Sequence, residues 1–312
     1  MRILITGGAG FIGSHVAEHF QGNAEVRVLD NLRTGFRRNL DGMDIEFIEG
    51  SVTDREAVAR AMRGVDYVFH LAALVSVPES MSNPTTCVEI NVNGHLNVLE
   101  LAAAAGVKKL VFASSAAVYG NDPPRPTTEI TTPAPRSPYA ITKLDGEYYN
   151  ALHTREGWID TVSARFFNVF GARQSPSSAY AAAVPIFLER ALNGKPLEIH
   201  GDGEQTRDFI YVKDIAAALA FAALEPRLTG VFNIGYGIAT SINDLARKII
   251  TLTGSLSQIT HLPPRAGDVR HSLASADKLR SVGWVPAHTF DSGLSETIRI
   301  ASGTDLPPRT RA

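Results

Sequence analysis

The chain has 312 residues, which is enough for one large domain or two modest ones. Hydrophobic residues make up 44% and charged residues 20% of it, as in ordinary globular enzymes, and the formal net charge of −2 gives no electrostatic reason to expect nucleic-acid or membrane binding. Cys87 is the only cysteine, which excludes an intrachain disulfide and a cysteine-based metal site, and we expect no metal. Without a signal segment or an apolar run of about 18 residues, the sequence predicts a cytoplasmic protein.

The first thirty residues form the pattern around which the rest of the chain is organised. An apolar strand over residues 2–6 is followed by glycines at positions 7, 10 and 13. A helical segment from Ser14 to Phe20 comes next, and then a second apolar strand that ends at Asp30. Strand, glycine turn, helix, strand and acid follow one another as they do in a dinucleotide-binding fingerprint.

Each part of this pattern has a physical role in binding a dinucleotide. Gly7 can leave the strand with positive φ, Gly10 lets a pyrophosphate approach the backbone, and Gly13 lets helix and strand pack closely. The helix start offers unpaired N–H groups and the positive end of a dipole to the phosphates. Asp30 can accept both hydroxyls of the adenosine ribose and would repel a 2′-phosphate, so the sequence favours NAD over NADP.

The remaining pattern predicts an α/β fold with a Rossmann-type, doubly wound parallel sheet. Further strands are expected at residues 45–48, 66–71, 109–113, 162–167, 209–211 and 231–234. Helices are expected from a Thr53/Glu56 capping box to about Arg63, and over about 82–105, 137–154, 184–192, 213–224 and 241–253, the last capped by Ser241 and Asp244. Residues 121–138 contain six prolines and predict a loop.

Two interleaved domains are the simplest interpretation of this order. Residues 1–168 with about 207–236 would form the NAD-binding domain. Residues of about 169–206 with 237–302 would form a smaller C-terminal substrate domain, and 303–312 a frayed tail.

Tyr139 and Lys143 lie one turn apart near the start of a predicted helix, so their side chains face the same way. A lysine ammonium beside a phenol stabilises the phenolate, which predicts a lowered tyrosine pKa and a general base near neutral pH. Ser114 and Ser115 end the fifth strand, at the carboxyl edge where open α/β sheets bind ligands. A serine there can link a substrate to the tyrosine by hydrogen bonds.

Seven segments in order carry a resemblance to a known family: the glycine turn, His70-Leu71-Ala72-Ala73, residues 114–120, Tyr139 with Lys143, residues 166–169, residues 207–214 and residues 265–269. The chain resembles extended short-chain dehydrogenase/reductases that act on nucleotide sugars. It is most similar to the UDP-glucose/UDP-N-acetylglucosamine 4-epimerases, over residues 1 to about 300.

The resemblance implies a site, and it implies NAD as cofactor and a UDP-sugar as substrate. The implied catalytic group is Ser115, Tyr139 and Lys143. The implied NAD-contacting positions are Gly7, Gly10, Phe11, Ile12, Asp30, Asn31, Ser51, Val52, Leu71, Ala72 and Ala73, with Tyr139 and Lys143. The implied substrate positions are Ser76, Ser115, Asn168, Val184, Ile199, Arg207, Arg265, Asp268 and Ser272. From the residues alone, Val184 and Ile199 are also compatible with plain core, and Arg207 with Asp208 is compatible with a surface ion pair. A homodimer through the helices of about 85–105 and 137–154 is also implied.

The implied reaction is epimerisation at C4 of the sugar by transient oxidation, rotation of a 4-keto sugar and return of the hydride. Relatives that are dehydratases or decarboxylases carry acidic residues where this chain has Ala116 and Ala117, which have no proton to give. UDP-glucuronate 4-epimerases resemble the chain but carry an arginine at the position of Ser175, for which Arg173 or Arg190 would have to substitute. A non-catalytic NAD-binding regulator is the remaining alternative, although such proteins often lack the tyrosine or the lysine.

The resemblance also suggests which residue sets the sugar specificity. In these epimerases the residue seven positions after the UDP-binding arginine flanks the hexose, and a tyrosine there excludes an N-acetyl group at C2. Counting from Arg265 gives Ser272, whose small side chain predicts that UDP-N-acetylglucosamine is accepted along with UDP-glucose. The alternative is that Ser272 is a surface serine and that specificity is distributed over many contacts.

Overall fold

The computed structural model describes residues 1–176, 182–265 and 269–303. Its strands are β1 Arg2–Thr6, β2 Glu25–Asp30, β3 Ile45–Glu49, β4 Tyr67–His70, β5 Lys109–Ser115, β6 Asp160–Phe166, β7 Asn168–Phe170, β8 Leu197–His200, β9 Thr206–Tyr211, β10 Gly230–Ile234, β11 Ala239–Ser241 and β12 Ile259–Leu262. Its α-helices are α1 Phe11–His19, α2 Arg55–Ala61, α3 Val77–Ser82, α4 Pro84–Val88, α5 Gly94–Ala104, α6 Pro138–Arg155, α7 Ala183–Leu192, α8 Val212–Leu224, α9 Ile242–Thr253, α10 Asp277–Ser281 and α11 Phe290–Ser302.

Seven strands form one parallel sheet in the order β3-β2-β1-β4-β5-β6-β10. The predicted Rossmann-type α/β fold is confirmed by this topology. The chain order reverses between β1 and β4, which opens a crevice at the carboxyl edge where such sheets bind nucleotides. Ser115 ends β5 at the same edge.

Alternate residues of β1 face the two opposite helical layers, which explains its unbroken apolar sequence. Ile3 and Ile5 belong to a core with Val16 of α1 and Leu219 of α8. Leu4 belongs to a second core with α2 and α5. All three β1 side chains are completely buried, so the strand is held rigidly beneath the glycine turn that follows it.

A second layer is built from smaller sheets. Strand β9 lies between β7 and β11, β8 pairs with β12, and α7, α9 and α11 cover them around a third apolar core. The predicted strands at residues 209–211 and 231–234, with a helix between them, are confirmed, but β9 joins the smaller sheet while β10 joins the large one. The division of the chain into two interleaved domains stays a proposal, with β9 on the side of the smaller domain.

One predicted helix detail is wrong and another is confirmed. Helix α2 is capped by Asp54, whose Oδ1 accepts from the N–H groups of Glu56 and Ala57 at 3.0 and 3.1 Å, so Thr53 does not open a capping box. The helix expected over about 82–105 is confirmed as a continuous helical stretch over residues 84–104, and it is separated from α3 because Asn83 leaves the helical conformation before Pro84. A π-helical turn, Glu89–Asn93, then links α4 to α5.

The π-helical turn has a structural explanation in Asn91, which is buried within it. The side chain of Asn91 accepts from Leu74 N at 2.7 Å and donates to Leu74 O and Thr142 Oγ1, both at 3.0 Å. These bonds join the loop after β4 to α6. Periodicity alone could not show such a contact, because its partners lie 17 and 51 residues away.

Other sequence-based expectations are confirmed. Helix α6 begins at Pro138 after the proline-rich loop, and Ser241 Oγ caps α9 by accepting from Asp244 N at 3.0 Å. The expected tail falls largely on residues 304–312, which lie outside the described residues. In the described part of the chain, no helix combines the length and the apolar character needed to span a bilayer.

Because three histidines are buried, we expect the free energy of unfolding to fall in mild acid. Burial lowers the pKa of His95 to about 3 and of His15 to about 4, and it holds the pKa of His70 well below the ordinary value of 6.5. The unfolded chain then binds protons below about pH 6.5 that the folded chain cannot bind. The free energy of unfolding should be greatest above that pH and should fall as the pH drops towards 4, by up to about 1.4 kcal/mol per pH unit for each histidine. Urea denaturation between pH 4 and 8 measures this slope. His95→Phe should make it shallower, and an unchanged slope would contradict the prediction.

Candidate active site

The glycine turn between β1 and α1 has the close contacts that a dinucleotide site needs. Gly7 has φ +72°, and a Cβ on it would lie 2.7 Å from Ala72 N, so the turn also touches the end of β4. A Cβ on Gly13 would lie 2.2 Å from the carbonyl oxygen of Gly7. Both sequence predictions, a positive φ at Gly7 and close packing at Gly13, are confirmed. Helix α1 begins at Phe11 and therefore directs its first N–H groups to this turn.

Asp30 shapes the adjacent part of the groove. It is 7% exposed, and its two carboxylate oxygens accept from Ala9 N at 2.9 Å and Leu32 N at 2.8 Å. Burial raises the pKa of Asp30, while the two backbone N–H groups lower it. Each oxygen keeps a free acceptor position in this arrangement, because a carboxylate oxygen can accept more than one hydrogen bond. The residues present therefore fit the ribose of an NAD molecule.

The other predicted cofactor residues follow the carboxyl ends of adjacent strands. Asn31 follows β2, Ser51 and Val52 follow β3, and residues 71–73 follow β4. Leu71 N donates to Thr6 O at 3.1 Å, which holds the segment after β4 against β1. These positions therefore lie along the carboxyl edge of the sheet, on both sides of the switch point.

The three predicted catalytic residues meet at the end of β5. Ser115 Oγ accepts from Ala117 N at 3.1 Å in a 3₁₀ turn, and the Ser115 hydroxyl is close enough to the phenol of Tyr139 to lower its pKa. Ser137 caps α6 and accepts from Ala140 N at 3.2 Å, which places Tyr139 and Lys143 in the first two turns. Lys143 is buried, and its Nζ donates to Ala113 O on β5 at 2.6 Å. The helix and the strand are therefore joined at the site itself.

The predicted lowering of the Tyr139 pKa is wrong for the described chain. Burial raises the pKa of Tyr139, and the hydrogen bond from Ser115 lowers it by a smaller amount. Lys143 does not dominate, because its Nζ lies 5.9 Å from the centre of the phenol ring and is directed to Ala113 O. Burial also lowers the pKa of Lys143 to about 8, against the raising effects of Cys87 and Glu147.

A cavity of about 350 Å³ lies between β7, α7, β8 and β9. Five of the predicted substrate residues line it: Asn168, Val184, Ile199, Arg207 and Arg265. Val184 and Ile199 are also 1% exposed members of the third apolar core, so the two interpretations of these residues are compatible. Three arginines, Arg190, Arg207 and Arg265, line the cavity beside apolar side chains, which suits a ligand with an anionic and a planar part.

Arg207 and Asp208 do not form the surface ion pair that was the alternative interpretation. Asp208 is completely buried, and its carboxylate accepts from Tyr236 N at 2.7 Å and from Gly237 N and Ala274 N at 3.0 Å. Arg207 faces the cavity instead, with Nη1 donating to Thr206 O at 2.9 Å.

Among the other predicted substrate residues that the structure describes, Ser76, Ser115 and Ser272 do not line the cavity. Ser76 caps α3, where its Oγ accepts from Glu79 N at 3.2 Å. Ser272 N donates to Thr206 O at 3.0 Å, next to Arg207. Asp268 lies outside the described residues.

Sequence reasoning missed several polar residues around the site. Glu198, His200 and Gln205 line the cavity beside Arg190, which the sequence indicates only as a partner of a uronate, and Glu147 lies buried behind the catalytic group. The only signal for Glu147 was its spacing of four residues from Lys143, which places both on one face of α6. Spacing alone does not distinguish such a residue from an exposed ion-pair partner.

Comparison with known proteins identifies the family. Residues 3–235 match the model of the NAD-dependent epimerase/dehydratase family. The chain belongs to this family. A UDP-N-acetylglucosamine 4-epimerase from Methanobrevibacter ruminantium, solved with UDP-N-acetylmuramic acid, superposes with a TM-score of 0.93 at 37% identity, over 97% of this chain and 99% of that one. A UDP-glucose 4-epimerase from Thermotoga maritima, solved with UDP-glucose, has a TM-score of 0.92 at 39% identity, over the same shares of the two chains.

The NAD-dependent epimerase/dehydratase family includes more than one reaction. A UDP-N-acetyl-α-D-glucosaminuronate decarboxylase from Bacillus cytotoxicus is 35% identical over 316 residues, covering 96% of this chain and 97% of that protein. Membership therefore shows an NAD-dependent enzyme and leaves the reaction to be argued from the site. NAD is the cofactor, and the residues around Gly7 and Asp30 fit it.

Asp30→Ala should weaken NAD binding and relax the discrimination against NADP, because the carboxylate that would repel a 2′-phosphate is gone. Calorimetric titration of both cofactors on stripped protein measures the two affinities. Asp30→Asn is the matched control for shape, since it keeps one acceptor oxygen for the turn while removing the charge. A wild-type preference for NADP would show that the interpretation of Asp30 is wrong.

Proposed function

We propose that this enzyme is a UDP-hexose 4-epimerase that interconverts UDP-glucose and UDP-galactose and also accepts UDP-N-acetylglucosamine. The observation that carries the proposal is the meeting of Ser115, Tyr139 and Lys143 at the sheet edge that holds the NAD groove. The nearby cavity with Arg207 and Arg265 suits the diphosphate of a nucleotide sugar. The similarity to two 4-epimerase structures supports the same reaction.

The chain supplies proton transfer, anchoring and orientation in the proposed reaction. Tyr139 would take the proton of the 4-hydroxyl, directly or through Ser115, and would return it after the sugar has turned. NAD, when bound, accepts the hydride from C4 and gives it back, so the cycle has no net redox change. Lys143 Nζ lies 5.9 Å from the centre of the phenol ring and is bonded to Ala113 O, so it would have to turn towards the phenol to favour the ionised form in the same step.

The proposed epimerisation needs a firmly held nucleotide and a loosely held sugar. Arg207 and Arg265 both line the cavity and can make charge-assisted hydrogen bonds to the diphosphate. Asn168 begins β7 on the same wall and would bind the diphosphate side of the substrate. Rotation of the sugar about its diphosphate link then presents the opposite face of C4.

A dehydratase or decarboxylase would need an acid where the chain has Ala116 and Ala117. Both alanines lie in the half-buried 3₁₀ turn directly after Ser115, and their methyl groups have no proton to transfer. Because one relative is a decarboxylase, the product analysis described below also tests for decarboxylation. The two alanines beside Ser115 favour epimerisation.

A uronate substrate would need a cation near the sugar. The two arginines that might replace the missing one are already paired. Arg173 Nη2 lies 2.8 Å from Glu18 Oε2, and Arg190 Nη2 lies 2.8 Å from Glu198 Oε2. This pairing favours a neutral hexose over UDP-glucuronate.

We also propose a homodimer formed through α4 and α6. Val88, Ile141 and Tyr148 on these helices are 43%, 55% and 63% exposed, and Met81 at the end of α3 is 60% exposed. Exposed apolar side chains on neighbouring helices are typical of a protein interface. Sedimentation at micromolar concentration tests this.

The direct test of the proposed function is product analysis by NMR. Purified enzyme would be incubated separately with UDP-glucose, UDP-N-acetylglucosamine and UDP-glucuronate. Appearance of the C4 epimer of the first two supports the proposal. Loss of carboxylate carbon as CO₂ would indicate a decarboxylase, and binding of NAD without turnover of any sugar would indicate a non-catalytic regulator.

Tyr139→Phe should remove the proposed base while keeping the packing of the ring. Epimerisation should fall by roughly 10²–10⁴, the contribution expected of a general acid–base. Steady-state rates give the loss, and the absorbance of retained cofactor shows whether the fold and the NAD groove survive. Turnover near the wild-type rate would refute the proposed role of Tyr139.

Ser272→Tyr should narrow the pocket beside Arg207 and select between the two sugars. Activity on UDP-N-acetylglucosamine should collapse while activity on UDP-glucose survives, because only the former carries a bulky group at C2. Ser272→Ala is the matched control, since it stays small and should keep both activities. Equal loss on both sugars in the tyrosine variant, or no loss on either, would show that Ser272 is not the gate.

A further inference from the structure

A buried ion pair lies directly behind the catalytic group. The side chains of Glu147 and Arg165 are only 3% and 5% exposed. They meet through two bonds, with Arg165 Nη2 2.6 Å from Glu147 Oε2 and Arg165 Nε 2.8 Å from Glu147 Oε1. The hydroxyl of Ser114 donates a further hydrogen bond to Glu147 Oε1. Such a pair is costly to bury, so its location calls for an explanation.

The pair joins the three elements on which the catalytic residues stand. Glu147 follows Lys143 by one turn of α6 and Tyr139 by two, so all three lie on one helix face. Ser114 immediately precedes Ser115 on β5, and Arg165 is the neighbour of Ser114 in the register of β5 with β6. The carboxylate therefore fixes α6 against the ends of both strands.

Arg165 is also held in place on the side away from Glu147. Its guanidinium carbon lies 4.7 Å from the centre of the Tyr119 ring, and Tyr119 Oη donates to Asn233 Oδ1 at 2.6 Å. Asn233 N donates in turn to Glu129 Oε1 at 2.8 Å. This sequence of contacts runs from α6 to β10 and leaves the ion pair little freedom to shift.

We propose that Glu147 is a positioning residue of the catalytic group: its carboxylate, locked between Arg165 and Ser114, sets the Ser115 hydroxyl against Tyr139 and provides the negative charge that balances Lys143. The inference rests on the proposed function, because it assigns Glu147 a task in the same proton transfer. Glu147 itself does not touch the substrate.

The charges around Lys143 show why a carboxylate is needed there. The groups that face it are Cys87 on α4, His70 on β4, His95 on α5, and Tyr139 and Glu147 on its own helix. Burial raises the pKa of Cys87 and Tyr139 and lowers the pKa of both histidines, so these four are neutral at neutral pH. Among them Glu147 is the carboxylate, and it raises the pKa of Lys143 together with Cys87, against the lowering effect of burial.

The decisive variant is Glu147→Gln, which keeps the shape and removes the charge. The value of kcat should fall by roughly 10–10²-fold, because the catalytic geometry loosens, while KM should change little since Arg207 and Arg265 are untouched. ¹⁵Nζ NMR of labelled lysine, with the Lys143 signal assigned by Lys143→Arg, should show Lys143 losing its proton at lower pH. The alkaline limb of the kcat–pH profile should move in the same direction.

A double variant distinguishes a loss of positioning from a loss of stability. Glu147→Gln leaves Arg165 buried without its partner, which is destabilising. In Glu147→Gln/Arg165→Met no charge stays unpaired, so the fold should recover while the low kcat and the shifted Lys143 titration persist. Ser114→Ala should lower kcat without moving the Lys143 titration, because the carboxylate remains. Glu156→Gln is the matched surface control on the same helix and should leave both readouts unchanged.

A double variant with wild-type kcat and wild-type Lys143 titration would overturn the inference. The proposed function fails separately, if wild-type enzyme epimerises none of the UDP-sugars. In that case the NMR titration still decides whether Glu147 controls the charge of Lys143, since it needs no turnover.

Discussion

The catalytic side of the molecule depends on a carboxylate and a guanidinium that have both been removed from water. Desolvation of two charges costs several kcal/mol for each ion, and their attraction offsets this cost only when the geometry and the remaining hydrogen bonds are good. Glu147 and Arg165 meet that condition through a two-bond contact and the added hydroxyl of Ser114. Any slip of α6 along β5 would break these bonds inside the protein. The buried pair therefore favours one position of α6 along β5. That position sets where Tyr139 and Lys143 lie relative to Ser115.

The cofactor side depends on steric exclusion instead of charge. Gly13 and Gly7 approach so closely that a single methyl group would not fit between them. This contact holds the start of α1 over the end of β1 while leaving the first N–H groups of the helix free to bind phosphate. The reversal of strand order beside β1 then puts the ends of β2 and β4 on opposite sides of the same turn. A dinucleotide groove follows from these two facts without any buried ion pair.

How much the sequence could predict depended on the range of the interactions. The large sheet, the glycine turn and the Ser137-capped helix could be predicted, because local patterns encode them. The cap at Asp54, the π-helical turn around Asn91 and the pairing of Glu147 with Arg165 could not, since they depend on which neighbour is close in space. The Tyr139 pKa was mispredicted for a related reason: a four-residue spacing shows that Lys143 is near, but not that its ammonium group bonds Ala113 O or that burial outweighs its charge.

The substrate side uses a second buried acid in a different way. Asp208 has no cation bonded to it among the contacts described above, and three backbone N–H groups satisfy its carboxylate. Burial raises its pKa and those N–H groups lower it. Because the three donors come from two separate segments, 236–237 and 274, the carboxylate ties both to β9 beside Arg207. An arginine that binds a diphosphate, as proposed for Arg207, needs a rigid backbone, and the bonds of the adjacent acid provide it. The carboxylate of Glu147 is bonded to the guanidinium of Arg165, whereas the carboxylate of Asp208 is bonded to backbone N–H groups while Arg207 lines the cavity, and this difference agrees with the separate roles proposed for the two sites.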